Sequence, residues 1–230
     1  MAVSVQSVID RVQTTLQDTT GVRWPVASEL VLWVNDAQRE IALLKPDASA
    51  NNVTVTLAEG TKQDVPADGN RLLRVVRNIK ADGSGARAIR LVAREVLDTQ
   101  TPDWHDPTVT GDAAHAATVK HYVYDEQNPR NFYVYPGVAG VTTKVEIIYS
   151  ANPATVGQSD NLGIPDIYAN AVMNYVLYMA YMKDAEYTGN SQRASSHFQL
   201  FNATITGKGQ IDAITSPNAE NAKPITPVAG

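Results

Sequence analysis

The sequence predicts an α+β fold: a helical-bundle body made of an N-terminal and a C-terminal helix pair, with β-hairpin insertions between them and an extended C-terminal tail. Three observations predict it. Apolar residues recur at helical spacing near both ends, residues 52–150 change to strand-like alternation, and from residue 208 the composition turns to Gly, Asn, Pro and Ala with isolated aliphatics. With 230 residues and 43% hydrophobic content the chain can bury one ordinary core, so residues 1–207 read as a single domain and 208–230 as its tail.

Val5, Val8, Ile9, Val12 and Leu16 place an amphipathic helix over residues 4–19, which Gly21 ends. Pro25 suits a first helical turn, and Leu30, Trp33, Val34, Ala37, Ile41 and Leu44 form the apolar stripe of a second helix that stops at Lys45-Pro46. Val53 to Leu57, residues 72–80 and residues 88–92 alternate as strands do, the last two joined across Ala81-Asp82-Gly83-Ser84-Gly85. Val96-Leu97-Asp98 begins a short helix and loop through Pro102-Asp103-Trp104. Residues 121–125 and 131–136 make a hairpin with aromatics at alternate positions, and residues 144–149 add a strand. Ile164-Pro165-Asp166 opens a long helix to about residue 183, and another follows from about residue 190 with Ala194, Phe198, Phe201 and Ile205 on one face. Pro217, Pro224 and Pro227 bar the tail from helix or central strand, and its aliphatics Ile211, Ile214, Ile225 and Val228 are candidate anchors on a partner.

Composition removes several function classes. A net charge of −5 gives no global attraction to nucleic acid or to a membrane surface. The absence of cysteine excludes disulfides, thiolate metal sites and cysteine nucleophiles, and suits a reducing cytosol. The N-terminus lacks the basic and apolar regions of a signal peptide, and the most apolar stretch, residues 172–182, is about half a membrane span. No membrane partner is expected.

The motifs that suggest chemistry fail on context. Gly83-Ser84-Gly85-Ala86-Arg87-Ala88 matches a dinucleotide-binding loop, but that loop must open a helix, and the residues after it alternate as a strand; a hairpin turn explains it and no cofactor is expected. His105, His115, His121 and His197 show no zinc-binding spacing. Asp103, His105, Asp106, Asp112 and His115 could gather around a metal only by chance of folding, and a polar loop is the simpler account. No nucleophile elbow or phosphate-binding loop is present, so no catalytic residue is assigned and the chain is not expected to be an enzyme.

Two local concentrations stand out. Arg71, Arg74, Arg77, Lys80, Arg87, Arg90 and Arg94 give residues 71–94 a net charge of +6 and leave −11 on the remainder. These cations could meet an acidic protein surface, meet phosphates, or pair with the chain's own acids; protein contact is favoured, because no aromatic platform interleaves with the arginines. Arg74, Arg77, Arg87 and Arg90 are therefore candidate partner-interface residues. The second concentration, Tyr168 to Tyr187, holds half the tyrosines and three of the four methionines, as in a central core helix or one that also meets a neighbour.

Arg23-Trp24-Pro25, Glu29-Leu30, Trp33-Val34-Asn35-Asp36-Ala37-Gln38-Arg39-Glu40-Ile41 and Lys45-Pro46-Asp47-Ala48 resemble the opening helices of tailed-phage head-to-tail adaptor (connector ring) proteins. Pro102-Asp103-Trp104-His105, the hairpin from Tyr124-Asp125 to Pro136, Ile164-Pro165-Asp166 and Lys183-Asp184-Ala185-Glu186-Tyr187 extend the resemblance over residues 5–207. It implies a structural subunit of the virion neck, assembled in the host cytoplasm as a homo-oligomeric, dodecameric ring. The implied partners are the portal protein and a tail or nozzle protein, with DNA passing through the channel and no sequence-specific binding. The alternative from another class is a nucleic-acid-binding packaging or DNA-processing protein that uses the basic 71–94 hairpin.

Overall fold

The computed structural model describes residues 2–111, 114–140 and 142–216. Their contacts form two compact units: one from residues 2–45 with 153–216, the other from the described residues of 46–152. Residues 1–207, expected to be one domain, thus contain two bodies of contact.

The first unit is helical. Helix α1 (Val5–Leu16) starts at Ser4, whose hydroxyl accepts the Ser7 amide, and buries Val5, Val8, Ile9 and Val12. It ends at Gln17 in the left-handed conformation (φ 57°), before Gly21. Asp18 then gathers the loop: its carboxylate accepts the amides of Val22, Arg23 and Trp24 at 3.2, 2.9 and 3.0 Å. Those bonds, that of Trp24 foremost, hold its carboxyl below the ordinary aspartate range. A π-helical turn (Val26–Leu30) leads into α2 (Val31–Leu44), which buries Val34, Ala37 and Ile41. Trp33 is only half-buried and Leu44 is exposed, whereas Asn35 and Gln38 of the same helix are buried.

Helix α4 (Ala169–Lys183) packs against α1, α2 and α5 (Asn190–Thr215). It buries Ala171, Val172, Val176, Leu177, Ala180 and Tyr181, whereas Met173, Tyr175, Tyr178 and Met179 are only partly buried and Met182 and Tyr187 are exposed. The helix is therefore central to this unit through its aliphatic residues more than through its Tyr and Met. The last helix corrects the expected tail boundary. It runs through Gly207 and Gly209 to Thr215, so residues 208–215 are helical rather than extended. Two glycines in a helix cost about 1 kcal/mol each. Burial of Ile205 and an ion pair from Asp212 Oδ2 to Lys45 Nζ (2.8 Å) at the end of α2 offset that cost. Residues 217–230, with Ile225 and Val228, lie outside the described residues.

The second unit has two four-stranded sheets. One has the order β1 (Ala50–Thr56), β8 (Lys144–Ala151), β3 (Gly69–Ile79), β4 (Gly85–Ala88); the other has β2 (Gly60–Asp64), β7 (Asn131–Val138), β6 (His121–Tyr124), β5 (Arg90–Leu91). Helix α3 (Arg94–Gln100) follows β5. Leu72, Val75, Val145, Ile147 and Tyr149 of the first sheet share one core with Tyr122, Phe132, Val134 and Val138 of the second. The strands therefore build a body with its own interior, where separate hairpin arms were expected. The expected strand 88–92 divides at buried Ile89: β4 pairs antiparallel with β3, and β5 pairs parallel with β6. Gly83 (φ 83°) closes the β3–β4 turn, where Lys80 donates to Ser84 O at 2.9 Å.

Candidate interaction surfaces

The basic segment does not stay together. Along β3, Arg71, Arg74 and Arg77 stand opposite Ser150, Ile148 and Glu146, alternate residues of β8, while Leu72, Val75 and Asn78 stand opposite Tyr149, Ile147 and Val145. Three register shifts, one at each step of three residues, make this possible. Arg74 and Arg77 consequently lie exposed on the outer face of the first sheet. Arg77 Nε reaches Glu146 Oε2 at 2.5 Å, and Asn52 Nδ2 reaches Glu146 Oε1 at 2.8 Å. The Asn52 hydrogen bond, then Arg77, holds the Glu146 carboxyl below the ordinary range. Arg77 is thus paired within the chain.

Arg87, on β4 of the same sheet, and Arg90, on β5 of the second sheet, lie near Lys120 and His121. Buried Asn78 donates from Nδ2 to Arg87 O (2.9 Å) and Val119 O (2.7 Å) and accepts the Val119 amide on Oδ1 (2.9 Å). Arg90 pairs with His121 in register, and its amide donates to Lys120 O at 3.3 Å. His121 stacks on Tyr135 with ring centroids 6.3 Å apart. Burial first, then the charges of Arg87, Arg90 and Lys120, pushes the His121 imidazole below the ordinary histidine range. Lys120 and His121 were absent from the sequence-level candidates because they lie outside residues 71–94; only the pairing of β5 with β6 brings them in.

Of the tail anchors, Ile211 (58% exposed) and Ile214 (78%) project from α5. Leu200, at 53%, shares their face of the helix, eleven and fourteen residues earlier.

The polar loop considered for a metal is occupied by structural bonds. Trp104 is fully buried, donates from Nε1 to Asp98 Oδ1 at 2.9 Å, and packs edge-on against Tyr133 and Tyr135. His105 stacks on Trp104, and its Nδ1 lies 2.7 Å from Thr61 Oγ1; Asp106 accepts the amide and hydroxyl of Thr108. Among the described residues no three His, Asp or Glu side chains gather as metal ligands, and Asp112 lies outside them. No helix among those residues is long and apolar enough to cross a membrane.

A family model described as SU10 adaptor protein matches residues 3–221. The chain belongs to the SU10 adaptor protein family. This is a phage head-to-tail adaptor family, in agreement with the resemblance read from the motifs. The match spans residues of both units. No curated protein matches the chain.

Proposed function

We propose that the chain is a structural, non-catalytic subunit of a phage neck that assembles as a dodecameric ring, joins the portal to a tail or nozzle protein, and leaves an axial passage for DNA. The family match over residues 3–221 carries this proposal, because it takes in the helical unit and the β unit together. On this account the uncharged apolar strip of α5, Leu200, Ile211 and Ile214, is covered by the portal or a neighbouring subunit in the neck. Arg74, exposed beside the Arg77–Glu146 pair, contributes at the rim of a protein contact, where a charge sets register and encounter rate more than affinity.

Electron microscopy of the purified chain mixed with the portal protein of the same phage tests the proposal. Closed rings seated on portals are the expected result. Absence of any complex, together with tight binding to free duplex DNA that falls steeply with salt, would overturn it in favour of a packaging protein.

A further inference from the structure

We propose that the cationic cluster of Arg87, Arg90 and Lys120 around His121 is a docking site for an acidic, extended segment of a partner protein. The cluster is held by the fold rather than by chance side-chain positions. Asn78, 5% exposed, ties the Arg87 carbonyl on one side and both backbone groups of Val119 on the other. Strand register sets Arg90 beside His121. The backbone from which the cations project is thereby fixed, and only their side chains must be ordered when an anion arrives.

Among the described residues Arg87, Arg90 and Lys120 have no ion-pair partner, whereas Arg23, Arg39, Arg77, Arg94 and Lys183 each have one. His121 Nδ1 is shielded from solvent and has no hydrogen-bond partner. Like charges gathered around a shielded imidazole repel one another, and a bound anion offsets that cost.

The surroundings favour a protein over a nucleic acid. Arg74 and Arg77 lie on the outer face of the first sheet, Arg87 on β4 at the edge of that sheet and Arg90 on β5 of the second. Arg77 is also occupied by Glu146, so the exposed cations form no single stripe along which successive phosphates could run. Leu91, next to Arg90, is 62% exposed, and β5 is the edge strand of its sheet. An apolar side chain and an open strand edge beside a cationic cluster suit an extended peptide that alternates acidic and apolar residues. A phosphate backbone would make no use of Leu91.

The test uses the full chain and a labelled synthetic peptide of alternating Glu and Val, with a short duplex DNA as competitor. Expected are peptide binding that weakens with salt, movement of the His121 imidazole signals in NMR spectra, and a rise in the His121 pKa on binding. The double substitution Arg87→Gln/Arg90→Gln should weaken binding roughly tenfold at unchanged melting temperature, and Arg74→Gln should leave it intact. A peptide that does not bind, or binds the double variant equally well, overturns the proposal. So does duplex DNA that moves the His121 signals and displaces the peptide. The peptide needs neither ring nor portal, so failure here leaves the adaptor assignment standing.

Discussion

Arg23 Nε lies 2.7 Å from Asp184 Oδ2, and the same guanidinium sits 4.6 Å from the ring centre of Tyr187, joining segments at opposite ends of the chain. Lys183 Nζ returns the contact, donating to Arg23 O at 3.1 Å and to both oxygens of Glu29 at 2.7 Å. Trp24 Nε1 adds a bond of 3.3 Å to Ala180 O. Arg23, Trp24 and Glu29 are thus fastened to Ala180, Lys183, Asp184 and Tyr187, about 160 residues later in the chain. The Asp184 hydrogen bond, above all else, raises the Arg23 guanidinium's affinity for its proton. In an Arg23→Gln/Asp184→Asn double-mutant cycle followed by urea unfolding, the coupling should be favourable but small, since Arg23 keeps 44% of its side chain in solvent. No coupling would mean that the pair is a surface contact without structural weight.

Asn35 should be far less tolerant. Its side chain donates to Val31 O and Val156 O, both at 2.9 Å, and accepts the Val156 amide at 2.8 Å, all buried. Asn35→Ala strands both backbone groups of Val156 and should cost about 2–4 kcal/mol in chemical denaturation. A loss below about 0.5 kcal/mol, the size of an ordinary surface change, would contradict this account.

The tryptophans separate burial from sequence pattern. Trp104 is fully buried and Trp33 only partly, although Trp33 belongs to the regular apolar stripe of α2. Trp104→Ala should therefore destabilise by about 3–5 kcal/mol and Trp33→Ala by clearly less. Equal losses in thermal or denaturant unfolding would place Trp33 in the core after all.

The end of α5 should respond to acid. Asp212 bonds first to Lys208 and then to Lys45, and these contacts hold its carboxyl below the ordinary range. Because the folded pKa is the lower one, the stabilisation is complete above the ordinary aspartate range and is lost as pH falls through the depressed value. Residues 208–215 should lose helical carbon chemical shifts in that window while α4 keeps them, and Asp212→Asn should show the loss at neutral pH. Unchanged shifts in the variant would show that the helix end holds without the pair.

Most helices were legible because their apolar spacing is dense: Val5, Val8, Ile9 and Val12 are all buried in α1. The aromatic alternation from His121 to Tyr135 likewise marked β6 and β7, which pair antiparallel. The middle of the chain was harder to read, for a physical reason. Arg71, Arg74, Arg77 and Lys80 repeat every three residues, which fits neither strand nor helix, and β3 absorbs that period through its register shifts. The period was visible in the sequence; its meaning was not, because a register shift depends on the partner strand. The composition from residue 208 onward also misled, since α5 continues through Gly209 to Thr215, and Asp212 on that last stretch pairs with Lys45, more than 160 residues away. The grouping of Arg87 and Arg90 with Lys120 and His121 required knowing that a strand changes sheets at Ile89.

Capture by immobilised portal of the same phage would separate an adaptor from a protein with no portal contact, with wild-type chain compared against Ile211→Ser/Ile214→Ser. Both side chains are mostly exposed, at 58% and 78%, so the double variant should melt within a degree or two of wild type. The portal should retain the wild-type chain and release the variant in the wash. Retention of both would move the contact off α5, and a folded wild-type chain that the portal does not retain would contradict the adaptor assignment itself.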